Sequence, residues 1–126
     1  MDTTLNTINK LEIPDLAAGE CYIGAIGNAE GTLTHIILLP GDNADTDWQA
    51  QMDWAKSIGG DLPNRIEQAL MFATARDEFK ADWYWSNERR ASVAGYAWCQ
   101  YFSYGYQFST STSAQLRARA VRRLSI

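Results

Sequence analysis

With 126 residues, 46% hydrophobic side chains and a net charge of −4, the chain is sized for one domain around a single modest core. Those values exclude wholesale disorder, and the negative balance argues against a general binder of polyanions. No apolar run nears bilayer-crossing length, since the longest, residues 36–39, is strand-sized.

Residues 1–10 are polar and expected to be flexible, with a short strand at residues 11–13 stopped by Pro14. Residues 21–26 read as a strand, Asn28-Ala29-Glu30-Gly31 as a turn, and residues 32–39 as a second strand rich in β-branched and aliphatic side chains. Together they predict a hairpin. Asp47 is placed to cap a helix from Trp48 to about Ile58, with Trp48, Met52, Ala55 and Ile58 on its apolar face and Gly59-Gly60 as its stop. Asn64 caps the next helix, and Glu67 stands three residues on, where a capping box wants it. Ile66, Ala69, Leu70 and Ala73 form the expected apolar stripe, with Phe79 beyond.

From Asp82 the period changes to two. Residues 83–86 read as a short strand. Residues 96–103 read as another, with Trp98 and Phe102 on one face and Tyr101 and Ser103 on the other. Tyr104-Gly105 turns the chain, and residues 106–110 return. Residues 116–124 are expected to form one final strand, with Leu116, Ala118 and Ala120 opposite Arg117 and Arg119. Strands, two helices and more strands imply an α+β architecture, with two helices packed against antiparallel sheets in a single domain over residues 1–126.

Charge is unevenly spread: residues 1–63 carry −8 and residues 64–126 carry +4. The halves should attract, so Arg117, Arg119, Arg122 and Arg123 are expected to pair with the acidic first half and not with nucleic acid. Cys21 and Cys99 stand alone and far apart; in a reducing compartment they read as two thiols, although a bridge stays open. The start of the chain lacks the basic residues and apolar core of a signal peptide, so a cytoplasmic location is expected.

Several segments carry a resemblance. Leu62-Pro63-Asn64-Arg65-Ile66-Glu67, Trp83-Tyr84-Trp85-Ser86-Asn87-Glu88, Ala97-Trp98 followed by Phe102 and Gly105, and the closing Arg117-Ala118-Arg119-Ala120-Val121-Arg122-Arg123-Leu124 together resemble a bacterial and phage domain family of unknown function. That family is similar to the Lcl C-terminal domain. The resemblance covers roughly residues 34–124. It implies a C-type-lectin-like fold, related to the formylglycine-generating enzyme and to the variable proteins of diversity-generating retroelements. It also implies a phage or prophage setting, with the virion as a second expected location. Fold does not carry function, however.

Residues 84–113 hold five of the six Tyr and six Ser, a mixture typical of recognition surfaces. Trp85, Trp98 and Phe102 are assigned to the core. The expected binding residues are Tyr101, Ser103, Tyr104, Tyr106 and Phe108 on the hairpin, with Asn87 and Arg89 in the loop beside it. The partner would be a protein or a glycan; a homo-oligomer interface is the structural alternative. Asp42, Asp45 and Asp47 lack calcium-loop spacing and read as capping residues. No metal, cofactor or catalytic residue is predicted. His35, the only histidine, lies in an apolar strand and reads as packed. An enzyme on the formylglycine-generating scaffold would need a reactive thiol, for which Cys99, beside Trp98 and on the opposite face, is the partly exposed candidate.

Overall fold

The computed structural model describes residues 11–126. The order of elements is β1 (Cys21–Gly27), β2 (Leu33–Leu38), β3 (Asn43–Thr46), α1 (Trp48–Ser57), α2 (Arg65–Thr74), a 3-10 turn (Arg76–Glu78), β4 (Trp83–Arg89), β5 (Tyr96–Tyr101), β6 (Gln107–Ser111), β7 (Leu116–Ala118) and β8 (Val121–Ser125). One sheet has the order β1-β2-β8 and the other β3-β7-β4-β5-β6. All pairings are antiparallel except β4 with β7. The protein is therefore α+β, with two helices packed against mostly antiparallel sheets. The expectation for residues 1–10 falls outside the described residues.

Local chemistry sets both helix starts. Asp47 accepts from the Ala50 N–H at 2.8 Å and begins α1. Asn64 accepts from the Glu67 N–H, and the Glu67 carboxylate accepts from the Asn64 N–H, both at 2.8 Å. This reciprocal box satisfies two donors that a helix start otherwise leaves open.

The five-stranded sheet is covered on both faces. Pairing of Trp83 with Tyr101, Trp85 with Cys99, and Cys99 with Phe108 puts these side chains on one face. There Trp85, Ala97 and Cys99 pack with Trp48 and Ala55 of α1. On the other face Tyr84 and Phe102 pack with Met71 of α2 and with Ile36 and Leu38 of the smaller sheet.

This double covering corrects several expectations. Cys99 is fully buried because α1 seals its face. Trp98 alternates with Phe102 as expected but is only half-buried, with the Arg65 guanidinium 3.6 Å above its ring in place of a core. In α2, Ile66, Ala69 and Ala73 are exposed, and the buried face is Glu67, Gln68 and Met71. Gln68 earns its burial by donating to the Tyr84 carbonyl at 3.2 Å, while Gln100 donates to the Gln68 carbonyl at 2.6 Å. Ile58 lies past the end of α1 and is exposed. Residues 11–13 form no strand, and β3 was not anticipated.

The expected final strand is two. β7 joins the larger sheet and β8 the smaller, with Arg119 and Ala120 between them. Arg119 turns inward and donates to the carbonyls of Glu78 and Leu39, the latter at 2.8 Å. A buried guanidinium thus ties the crossing to two other segments, which stabilises it only because its charge meets oxygen acceptors.

Candidate functional site

Five aromatic side chains run outward from the core along one end of the larger sheet. Trp83 stacks on Tyr101 with centroids 4.4 Å apart, and Phe108 meets Trp83 edge-on at 4.4 Å. Tyr104 lies 5.9 Å from Tyr101, and Tyr106 lies 5.9 Å from Tyr104. Exposure rises along the row: Trp83 and Tyr101 are half-buried, Phe108 is 39% exposed, and Tyr106 and Tyr104 reach 64% and 69%. Ser103 is half-buried in the same turn.

The turn holds this row in place. Tyr101 donates to the Tyr106 carbonyl at 2.8 Å, and Gly105 donates back to the Tyr101 carbonyl at 2.7 Å. Gly105 has φ +83°, and a Cβ there would meet the Phe72 ring of α2 at 2.7 Å. Only glycine combines that conformation with that approach. The backbone is pressed against α2, and the flanking tyrosines stand in solvent.

Of the residues expected from sequence, Tyr101, Ser103, Tyr104, Tyr106 and Phe108 come together. Asn87 and Arg89 do not. Asn87 donates to the Asp61 carboxylate at 3.0 Å, and its N–H donates to the Pro63 carbonyl at 2.9 Å. The Arg89 guanidinium sits 4.6 Å over the Trp48 ring. Both belong to the far end of β4 from Trp83, where α1 and the start of α2 meet the sheet. Trp83 itself was missed, although its two-residue spacing from Trp85 already placed the two on one face.

The basic cluster is taken up by ion pairs. Arg117 meets Asp42 at 2.8 Å, and Arg122 meets Glu20 at 2.8 Å. Arg123 contacts both Glu67 and Asp61 at 2.7 Å. Arg122 and the Ala17 N–H hold the Glu20 carboxylate down to about 2. Of the three clustered aspartates only Asp47 caps a helix. Asp42 takes Arg117 and the Tyr84 hydroxyl, and Asp45 is exposed on β3.

Nucleophilic chemistry finds no support in the thiols. Both cysteines are free, and burial pushes the Cys99 thiol up to about 12, far from a thiolate at neutral pH. Burial also raises Cys21. His35 is buried, with Nδ1 2.7 Å from the Tyr22 hydroxyl. Among the described residues no group of three or more His, Cys, Asp or Glu could hold a metal ion, and no helix is long and apolar enough to cross a membrane. No protein-family model and no curated protein matches this chain.

Proposed function

We propose that this chain is a phage- or prophage-type binding module that captures a protein partner on the aromatic face of its β5–β6 hairpin. The observation that carries the proposal is the pair Tyr104 and Tyr106, 69% and 64% exposed, backed by the packed rings of Tyr101, Trp83 and Phe108. Such clustered exposed rings are costly to hydrate and favour a covering surface. Tyrosine loses little torsional freedom on binding and keeps a hydroxyl for polar partners. The rigid turn at Gly105 lowers the ordering cost further. The C-type-lectin-like resemblance of residues 34–124 supports the same reading, with a host receptor or an intracellular host protein as partner.

The test is capture from a lysate of the bacterium that carries the gene, with wild type and the Tyr104→Ser/Tyr106→Ser double variant. The partner held by the wild type should be lost from the variant while thermal unfolding is unchanged. Equal capture by both removes this face as the binding site.

A further inference from the structure

We infer that the free edge of β6 is a strand-docking site for an extended acidic peptide, one whose apolar and acidic side chains alternate. This rests on the hairpin being a binding face, and it specifies the ligand.

Among the described residues four strands lie at sheet edges, namely β1, β8, β3 and β6. Three carry features that discourage pairing. β1 has a register shift between Tyr22 and Gly24, and β3 is four residues long with a shift of its own. β8 carries Arg122 and Arg123 and is bridged at Val121 by Asp61. β6 has none of these: Gln107–Ser111 pairs with β5 in unbroken register and contains no proline, glycine or charge.

The ladder decides which backbone groups are free. Tyr101 donates to the Tyr106 carbonyl at one end, and Thr112 donates to the Gly95 carbonyl at the other, at 2.8 and 2.9 Å. Alternation between these points turns the N–H and C=O of Phe108 and Thr110 toward β5. Those of Gln107 and Ser109 and the N–H of Ser111 therefore face away, at the two-residue spacing that an added strand matches. The Ser111 carbonyl accepts from the Ala114 N–H at 2.9 Å and closes that end of the edge.

The two faces of this edge differ in chemistry. Phe108 and Tyr106 stand exposed on one. On the other, the guanidinium carbons of Arg65 and Arg90 lie 3.6 and 5.4 Å from the Trp98 ring centre. Arg65 Nε donates to Gln107 Oε1 at 3.1 Å, and Arg90 Nη1 donates to Ser109 Oγ at 2.9 Å. Among the described residues neither guanidinium has a carboxylate within ion-pair distance, whereas the guanidiniums of Arg117, Arg119, Arg122 and Arg123 all do. The Glu88 carboxylate accepts instead from the Arg65 backbone N–H, at 2.7 Å. No charged residue occurs between Arg90 and Arg117 in the chain, so the hairpin cannot neutralise them itself. An added strand alternates its faces as β6 does. Its residues beside Phe108 and Tyr106 should be apolar, and their neighbours beside Arg65 and Arg90 should be carboxylates. A second copy fits worse: antiparallel pairing about Ser109 would set two Arg90 guanidiniums side by side on one face, which is repulsive.

The experiment is an NMR titration of the full chain with an end-blocked peptide of alternating valine and glutamate. Shifts and slowed hydrogen exchange are expected at the amides of Gln107, Ser109 and Ser111. A valine–lysine peptide should fail. Arg90→Glu should weaken the glutamate peptide by about tenfold or more and admit the lysine peptide. A glutamate peptide N-methylated at alternate residues should not bind the unaltered protein, a control independent of any variant's folding. Equal binding of the two peptides, unprotected β6 amides at saturation, or protection of those three amides by self-association without peptide would each overturn the inference. If no peptide binds but lysate capture still depends on Tyr104 and Tyr106, the edge site falls and the aromatic-face proposal stands.

Discussion

Trp83 and Tyr101 lie directly opposite each other on β4 and β5, their rings 4.4 Å apart and within 24° of parallel. The next pair on that face, Trp85 with Cys99, is sealed beneath α1. The pair Trp83–Tyr101 therefore marks where interior becomes surface. It is packed enough to be rigid and open enough to carry the exposed tyrosines outward.

Truncation should separate these zones. Trp85→Ala should cost about 4 kcal/mol and Trp83→Ala about half that, since Trp83 already gives part of its ring to solvent. Tyr104→Ser and Tyr106→Ser should each change stability by less than about 0.5 kcal/mol. Urea unfolding of the four variants checks the order. A large cost at Tyr104 would show that it is a structural ring.

Gly105→Ala should destabilise through two additive causes, the positive φ and the collision with Phe72. Gly31 is the control, with φ +82° and open space where a Cβ would go. Gly31→Ala should cost about 1 kcal/mol for its conformation alone, and Gly105→Ala at least about twice that. Paired chemical denaturation curves read the difference. Equal costs would mean that α2 yields at Phe72.

The Glu20–Arg122 pair predicts an acid-sensitive contribution to stability. The carboxylate is held at about 2 in the folded chain, below its ordinary 4.5, by the Arg122 hydrogen bonds and the Ala17 N–H. The unfolded state therefore binds more protons between those values. The contribution is fully present above about 4.5 and is lost as pH falls toward 2. Arg122→Gln should flatten the stability–pH curve in that window and leave its slope above pH 5 unchanged, measured by thermal melts across pH.

Thiol reactivity should rank the cysteines. Cys21 is half-buried and Cys99 fully buried, its thiol pushed up to about 12. An alkylating reagent at pH 8 should modify Cys21 first and reach Cys99 only as fast as the protein unfolds. Mass spectrometry of time points decides this. Rapid labelling of Cys99 in the native state would reopen the case for thiol chemistry.

Signals that act within a few residues were legible in the chain before any tertiary contact was known. The Asn28–Gly31 turn set the first hairpin, Asp47 and the Asn64–Glu67 box set both helix starts, and period-two patterning with Gly105 set the tyrosine-rich hairpin. Each depends on hydrogen bonds or steric limits over a span of about five positions. The tertiary structure alone decided which faces were covered. Gln68 became core because its amide reaches the Tyr84 carbonyl, and Trp98 stayed half-buried because a guanidinium, that of Arg65, lies over its ring where a core layer would have sealed it. The last strand broke at Arg119 because its two halves serve different sheets, and Asn87 and Arg89 left the site because β4 carries them away from Trp83. Alternation assigns a residue to a side of the sheet. What lies on that side comes from elements far away in the chain, and only their packing determines it.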